Sequence, residues 1–301
     1  FISSYYFPKG FNYLYLIPFN KGLTVSPMLD AFVDWIWNAF FYYLNAFNIF
    51  LLTNVLGPMK QAYLNMPVIS TFVLFMGAGY IIGGIRSCLI VGSLILFIAL
   101  SEYWDRTLIT LYMATFAVSV SAFSGIIVGS LCSQNDFASK TILSICDFFQ
   151  TFPSFIYLIP VILLFGITDT SVMIAAIVYA SVPATRYTVE GLRSVPPSLH
   201  DAGSMSGVSK MQRWRLIDLP LALPHIMLGI NQTVIFALMM IVLGALIGTE
   251  DLGQLIMGSL SRPNGAGIGF TLGIFISFIC LAVDNLIRTW ADERKKLLGI
   301  N

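Results

Sequence analysis

Residues 201–220 read DAGSMSGVSKMQRWRLIDLP, and they hold the chain's most ordered spacing of special residues: Gly203, Gly207 and a closing Leu219-Pro220. None of these side chains is a nucleophile or a metal ligand. Glycine tolerates positive φ, so Gly207 ends or bends a helix. Ser198 and Ser209 are of the type that caps a helix start, and Pro220 and Pro224 fix the entry into the next apolar run. The spacing predicts a short helix from near His200 to Gly207 and a second from about Ser209 to Leu219. The chemistry such an ordered elbow supports is recognition of a partner. Reactive residues do not cluster elsewhere. His200 and His225 stand alone, and His200-Asp201 is the one close histidine–carboxylate pair. Cys88, Cys132, Cys146 and Cys280 form no CxxC and read as packing residues, with no metal site. No GxxxxGK[ST] loop occurs, so the chain alone is expected neither to bind nor to hydrolyse ATP.

The elements that position this elbow are apolar. Of 301 residues, 57% are hydrophobic and 10% charged, with a mean hydropathy of +0.83. Soluble domains carry about 25% charged residues, so this chain cannot cover a water-facing surface and its solvent is the lipid bilayer. The net charge of +1 says nothing about a nucleic-acid partner, and no basic stripe occurs, so none is expected. A crossing helix needs about 20 mostly apolar residues. Seven candidates fit: about 68–84, 88–103, 108–131, 142–166, 171–188, 221–247 and 268–289. The first two are short and read as a tilted hairpin around Gly83-Gly84-Ile85-Arg86. Residues 28–65 mix Trp, Phe and Tyr with Asp30, Asp34 and several Asn, the composition of the headgroup layer. They are expected to lie as an interfacial amphipathic helix, with a span at about 36–56 as the alternative. The segment before them is broken by Pro8, Pro18 and Pro27 and lacks the pattern of a signal peptide.

Loop cations orient the spans. One side collects eleven, among them Arg86, Lys140, Arg186, Arg193, Lys210 and the tail ADERKK; the other collects Lys9, Lys21, Lys60, Arg106 and Arg262. The richer side is expected in the cytoplasm, with loop 189–220 and the C-terminus, and loop 248–267 outside. Asp284 and Arg288 have the spacing of an i,i+4 pair. The pairs Gly79/Gly83, Gly125/Gly129 and Gly269/Gly273 allow close helix approach within one subunit. Polar residues inside spans are Gln150 beside Pro153, and the run Asn231, Gln232, Thr233. They either line a path or bond one helix to another.

In this setting the elbow resembles the signature of permease subunits of binding-protein-dependent ABC importers: E-A-A, three residues, G, nine residues, I-x-L-P. Here it reads Asp201-Ala202-Gly203, then Gly207, then Ile217-Asp218-Leu219-Pro220. Asp201 stands for Glu and Gly203 for the second Ala; the spacing holds throughout. The stretches CDFFQTFPSFIYLIPVILLFGI, LPLALPHIMLGINQT and GTEDLGQLI are similar to glycine betaine/proline betaine permeases, so the likeness covers about 107–290.

The resemblance implies an all-α membrane protein with the type I ABC importer transmembrane fold: about seven spanning helices, the aromatic N-terminal helix and the elbow. The chain would divide into an extension (1–66), a short transmembrane hairpin (67–106), a permease core (107–290) and a cytoplasmic tail (291–301). In such permeases the elbow is the coupling helix, so Asp201, Ala202, Gly203, Gly207, Ile217, Leu219 and Pro220 would dock on a separate ATPase subunit, which holds ATP and Mg. Other implied partners are a periplasmic substrate-binding protein and a second copy of the chain, in a bacterial inner membrane. The cargo would be a quaternary amine such as glycine betaine or proline betaine. Choline, carnitine, taurine or an amino acid is the alternative cargo. An ion-driven transporter is the rival machine, and it should show inverted repeats and a mid-membrane carboxylate, neither of which is clear.

Overall fold

The computed structural model describes residues 26–297; the N-terminal segment with Lys9 and Lys21, and residues 298–301, lie outside it. The described residues form helices and no strand. In chain order they are α1 (Ser26–Phe50), α2 (Gly57–Leu64), α3 (Val68–Ala99), α4 (Trp104–Cys132), α5 (Asp136–Thr151), α6 (Leu158–Phe165), α7 (Asp169–Arg193), α8 (Pro197–Met205), α9 (Lys210–Arg213), α10 (Leu219–Gly244), α11 (Leu252–Leu260) and α12 (Ala266–Leu297). Six helical stretches are long and apolar enough to cross a membrane, and the bent pair α5–α6 makes a seventh.

α3 is a single helix only in name. Gly83 (φ −138°) and Gly84 (φ 65°) leave the helical region. A Cβ on Gly79 would lie 3.0 Å from Cys88 Cα, and one on Gly92 would lie 3.1 Å from Met76 Cγ. A straight helix would hold Gly79 and Cys88 about 13 Å apart. The chain therefore doubles back, and two arms of about 16 residues pack side by side. The second arm lies along α12: Phe97 meets Phe275 near one end, and Ser87 Oγ is 3.4 Å from Thr289 Oγ1 near the other.

α7 is the central post, packed between α4 and α10. Small residues bring the backbones together. A Cβ on Gly125 would meet Ala184 Cβ at 2.5 Å, and one on Gly129 would meet Thr185 O at 2.8 Å. On α7's other side, Gly229 of α10 abuts Tyr187, and Gly191 abuts His225. Of the expected glycine pairs, Gly273 alone has open space beside it.

At the end far from the elbow, a polar knot ties the elements. Tyr112 donates to Asp169 Oδ2 at 2.8 Å. Lys60 lies 3.2 Å from Glu250 and 3.9 Å from Asp169, and Arg106 donates to the Glu250 carbonyl at 2.6 Å. Asp251 caps α11 by accepting from Gln254 N. It is fully buried, and burial pushes its carboxyl up to about 6.

The aromatic segment is one helical run, α1 and α2 joined by a π turn at Leu51–Leu56. Asn48 donates to the Phe165 carbonyl, and Tyr63 donates to Thr115 Oγ1. Fifteen residues separate them, about 22 Å of helix, yet both contacts fall in the end layer marked by Tyr112 and Asp169. Residues 48–63 therefore lie across the bundle's far end. The run Asp30–Leu64 also has the length and composition of a span.

Candidate functional site

The elbow is built by local sequence chemistry. α8 ends in a Schellman closure: Val208 N donates to Gly203 O at 3.2 Å, with Gly207 at φ +70°. Two residues on, Ser209 opens the next helix with a capping box. Its Oγ accepts from Gln212 N, and Gln212 Oε1 accepts from Ser209 N at 2.9 Å. That helix does not stop at Leu219 as the sequence suggests. A π turn at Trp214–Asp218 carries it into α10, giving one run from Lys210 to Ile247. Leu219 N reaches back five residues to Trp214 O. Pro220 comes next, and it lacks the N–H that a regular turn would use. The π turn at Leu51–Leu56 stands in the same relation to Pro58.

The signature residues converge. A Cβ on Gly203 would sit 3.1 Å from Ile217 Cδ1, and Ala202, Gly203, Ile217 and Pro220 share the wall of a shallow apolar groove of about 430 Å³. Leu219 packs beneath against the buried cluster of Leu192, Ala222 and Ile226. Asp218 is buried, 3.5 Å from Arg213 Nε. Asp201 is exposed; the side chain of His200 lies outside the described set. Among the described residues no atom lies within 4 Å of a Cβ built on Gly207, so its positive φ, not crowding at Cβ, demands glycine here. Around the groove stand apolar side chains in the open: Met205 is 90% exposed, Leu216 70% and Met211 65%. Beside the elbow, a cavity of about 800 Å³ opens between Ile126, Leu131 and Leu192 and the elbow residues Lys210 and Trp214.

The other sequence candidates scatter. Asn231 is buried and donates to Asp284 Oδ1 at 2.5 Å, and Arg288 Nε reaches the same oxygen at 2.6 Å. Thr233 donates to the Gly229 carbonyl inside its own helix. Both side chains thus bond within the chain; Gln232 is half-buried. Gln150 is exposed and accepts from Arg186 Nη1 at 3.4 Å. Pro153 sits at the break where the chain turns by 104° between α5 and α6. Sequence reasoning misses the group that Gln150 joins. Arg186 holds Asp147 at 2.5 Å and Glu190 at 3.0 Å. The signal that could have found it is the charge density of α7, where Arg186 and Glu190 sit four residues apart in an otherwise apolar span.

Comparison with known proteins places this geometry. Residues 121–296 match the family described as binding-protein-dependent transport system inner membrane component. The trimethylamine N-oxide transport system permease protein of Pelagibacter ubique is 59% identical over 300 residues, covering 100% of this chain and 42% of that protein. The glycine betaine transport system permease protein of Bacillus subtilis is 30% identical, over 91% of this chain and 96% of its own length. The glycine betaine/proline betaine permease protein of Escherichia coli is 29% identical, over 91% of this chain and 77% of its own. The chain spans about two-fifths of the trimethylamine N-oxide permease it matches.

Proposed function

Because the chain belongs to the inner-membrane components of binding-protein-dependent transport systems, we propose that it forms the pathway of an ATP-driven importer for a small trimethylated amine, trimethylamine N-oxide ahead of glycine betaine. The observation that carries the cargo is the 59% identity along the whole chain to a trimethylamine N-oxide permease. The sequence motifs alone favour glycine betaine, whose permease relatives stand near 30%. Both cargoes carry a nitrogen with three methyl groups beside an anionic oxygen.

Energy enters through the elbow. Its rigid closures at Gly207 and Ser209, its apolar groove and its exposed Met205, Met211 and Leu216 suit docking on a separate ATPase subunit. ATP and Mg belong to that subunit. Because α9 runs unbroken into α10, a push on the elbow is transmitted along a stiff rod into the membrane, and α10 is packed on α7. The ATPase cycle would bias the bundle between two access states. A periplasmic binding protein delivers the cargo to the far end, a second copy of the chain completes the path, and the elbow and C-terminus face the cytoplasm, as the cation count favours.

The test is uptake in liposomes holding the full-length permease, its ATPase and its binding protein, with labelled trimethylamine N-oxide and glycine betaine offered separately. ATP-dependent uptake of the N-oxide in preference to the betaine supports the reading. Uptake of neither refutes the cargo.

A further inference from the structure

The cavity beside the elbow lies at the level where the spanning helices end. Its walls come from the last two turns of α4, which stops at Cys132, from Leu192 at the end of α7, and from one face of the rod that runs from Lys210 into α10. Along α4 the lining changes from Ile126, Ile127 and Leu131 to Ser133 and Gln134, just past the helix end. Ile126 and Cys132 are six residues apart, about 9 Å of rise. On the rod, Lys210, Arg213 and Trp214 share a face by their i, i+3, i+4 spacing and stand at the elbow end. The α4 wall is thus apolar toward the membrane, and the cations gather at its edge.

Two cations and one carboxylate line the space. Asp218, further along the rod, is buried and lies 3.5 Å from Arg213 Nε. No ion pair or hydrogen bond among the described residues takes up Lys210 Nζ or the Nη nitrogens of Arg213. Trp214 and Ser130 also line the cavity, and Trp214 Nε1 and Ser130 Oγ are buried without a hydrogen-bond partner among the described residues. Buried donors of this kind are normally met.

An occupant that satisfies these walls offers an anion at the elbow end and an apolar body along α4. Ile127 and Leu131 are 42% and 65% exposed, so the apolar wall is continuous with the outside of the bundle. A free anion would leave that wall wet. Basic pockets between spanning helices at the membrane edge suit anionic headgroups, and tryptophan suits the headgroup layer.

We propose that this cavity seats one anionic phospholipid, its phosphate among Lys210 Nζ, the Arg213 Nη nitrogens and the Trp214 N–H, and an acyl chain along Ile126, Ile127 and Leu131. A zwitterionic lipid would bring a further cation beside Lys210 and Arg213, and that repulsion selects against it. The π turn at Trp214–Asp218 is part of the seat, so the bound lipid braces the joint through which a push on the elbow enters α10. The site is independent of the cargo assigned under Proposed function; it needs only that the elbow lie at a membrane surface.

Trp214 is its own reporter. The assay is quenching of tryptophan fluorescence by phosphatidylglycerol with brominated acyl chains, in phosphatidylcholine nanodiscs holding the full-length permease, with the signal of Trp214→Phe subtracted. Brominated phosphatidylglycerol is expected to quench Trp214 at a lower mole fraction than brominated phosphatidylcholine. Lys210→Gln, an exposed position, should raise the midpoint by roughly fivefold, the share of one cation near an anionic surface, and Lys210→Arg should restore it; melting temperature is the folding control. Equal quenching by the two brominated lipids, or a midpoint that Lys210→Gln leaves unchanged, overturns the site. Preference for phosphatidylglycerol that vanishes in excess inorganic phosphate overturns the lipid and leaves a free-anion site. Quenching lost when the ATPase subunit is bound overturns it too, and assigns the cavity to that subunit's seat.

Discussion

Replacing Gly207 separates backbone strain from partner contact. Its φ of +70° lies in the left-handed region, where a Cβ costs about 1–2 kcal/mol and Asn is tolerated better than other non-glycine residues. Among the described residues a Cβ there touches nothing within 4 Å, so for alanine strain is the whole intramolecular cost. One to two kcal/mol is a roughly 5- to 30-fold loss in the population of the closed elbow. If the elbow stands free, Gly207→Ala and Gly207→Leu weaken ATPase binding by that same factor, and Gly207→Asn by less. If a partner surface approaches Gly207 closely, the leucine variant loses at least a further tenfold. The assay is titration of the ATPase subunit onto nanodiscs carrying each variant, with melting temperature as the folding control. Equal affinity for Gly, Asn, Ala and Leu at 207 would refute the link between the positive φ and docking. Equal losses for Ala and Leu would refute the close approach and keep the strain.

Four further substitutions have defined outcomes. Asp251 has its carboxyl raised to about 6 by burial, so the folded state holds its proton longer than the unfolded chain does. Its contribution therefore falls as pH rises from about 4 to 6 and is level above. Asp251→Asn keeps the cap on Gln254 N and should melt higher than wild type at pH 7.5, by at most about 3 kcal/mol, with the gap closing below pH 4. Gly125→Leu places a large side chain where Ala184 Cβ is already 2.5 Å from the first added atom; it should separate α4 from α7 and abolish the folded peak in size-exclusion chromatography, whereas Gly203→Ala, facing the flexible tip of Ile217, should transport within twofold of wild type. Asn231→Ala removes one interhelical bond to Asp284 and should lower stability by about 0.6–2 kcal/mol in a reversible denaturation series.

Much of this is legible in the sequence because the devices are local. Gly207, Ser209 with Gln212, and Pro220 each act within a few residues, so spacing alone locates the elbow's two closures. The turn at Gly83-Gly84 is visible for the same reason. The continuation of α9 into α10 is not, because a π turn accommodates Pro220 where a regular turn would end, while Leu219 packs against a cluster that includes Leu192 and Ile226. Asn231 can be read as path or as bond between helices, and only the position of α12 brings Asp284 to it. Arg186 escapes notice for a similar reason: its partner Asp147 is 39 residues away, and periodicity carries no information on which helices become neighbours. Residues 48–63 show the same limit, since their composition suits both a membrane surface and a crossing.

The proposed function requires that this chain move a trimethylated amine only when an ATPase drives its elbow. Liposomes containing the permease, its ATPase and the loaded binding protein should accumulate labelled trimethylamine N-oxide with ATP inside, and none without it. Uptake that persists without ATP, or that tracks an ion gradient instead, would contradict the account.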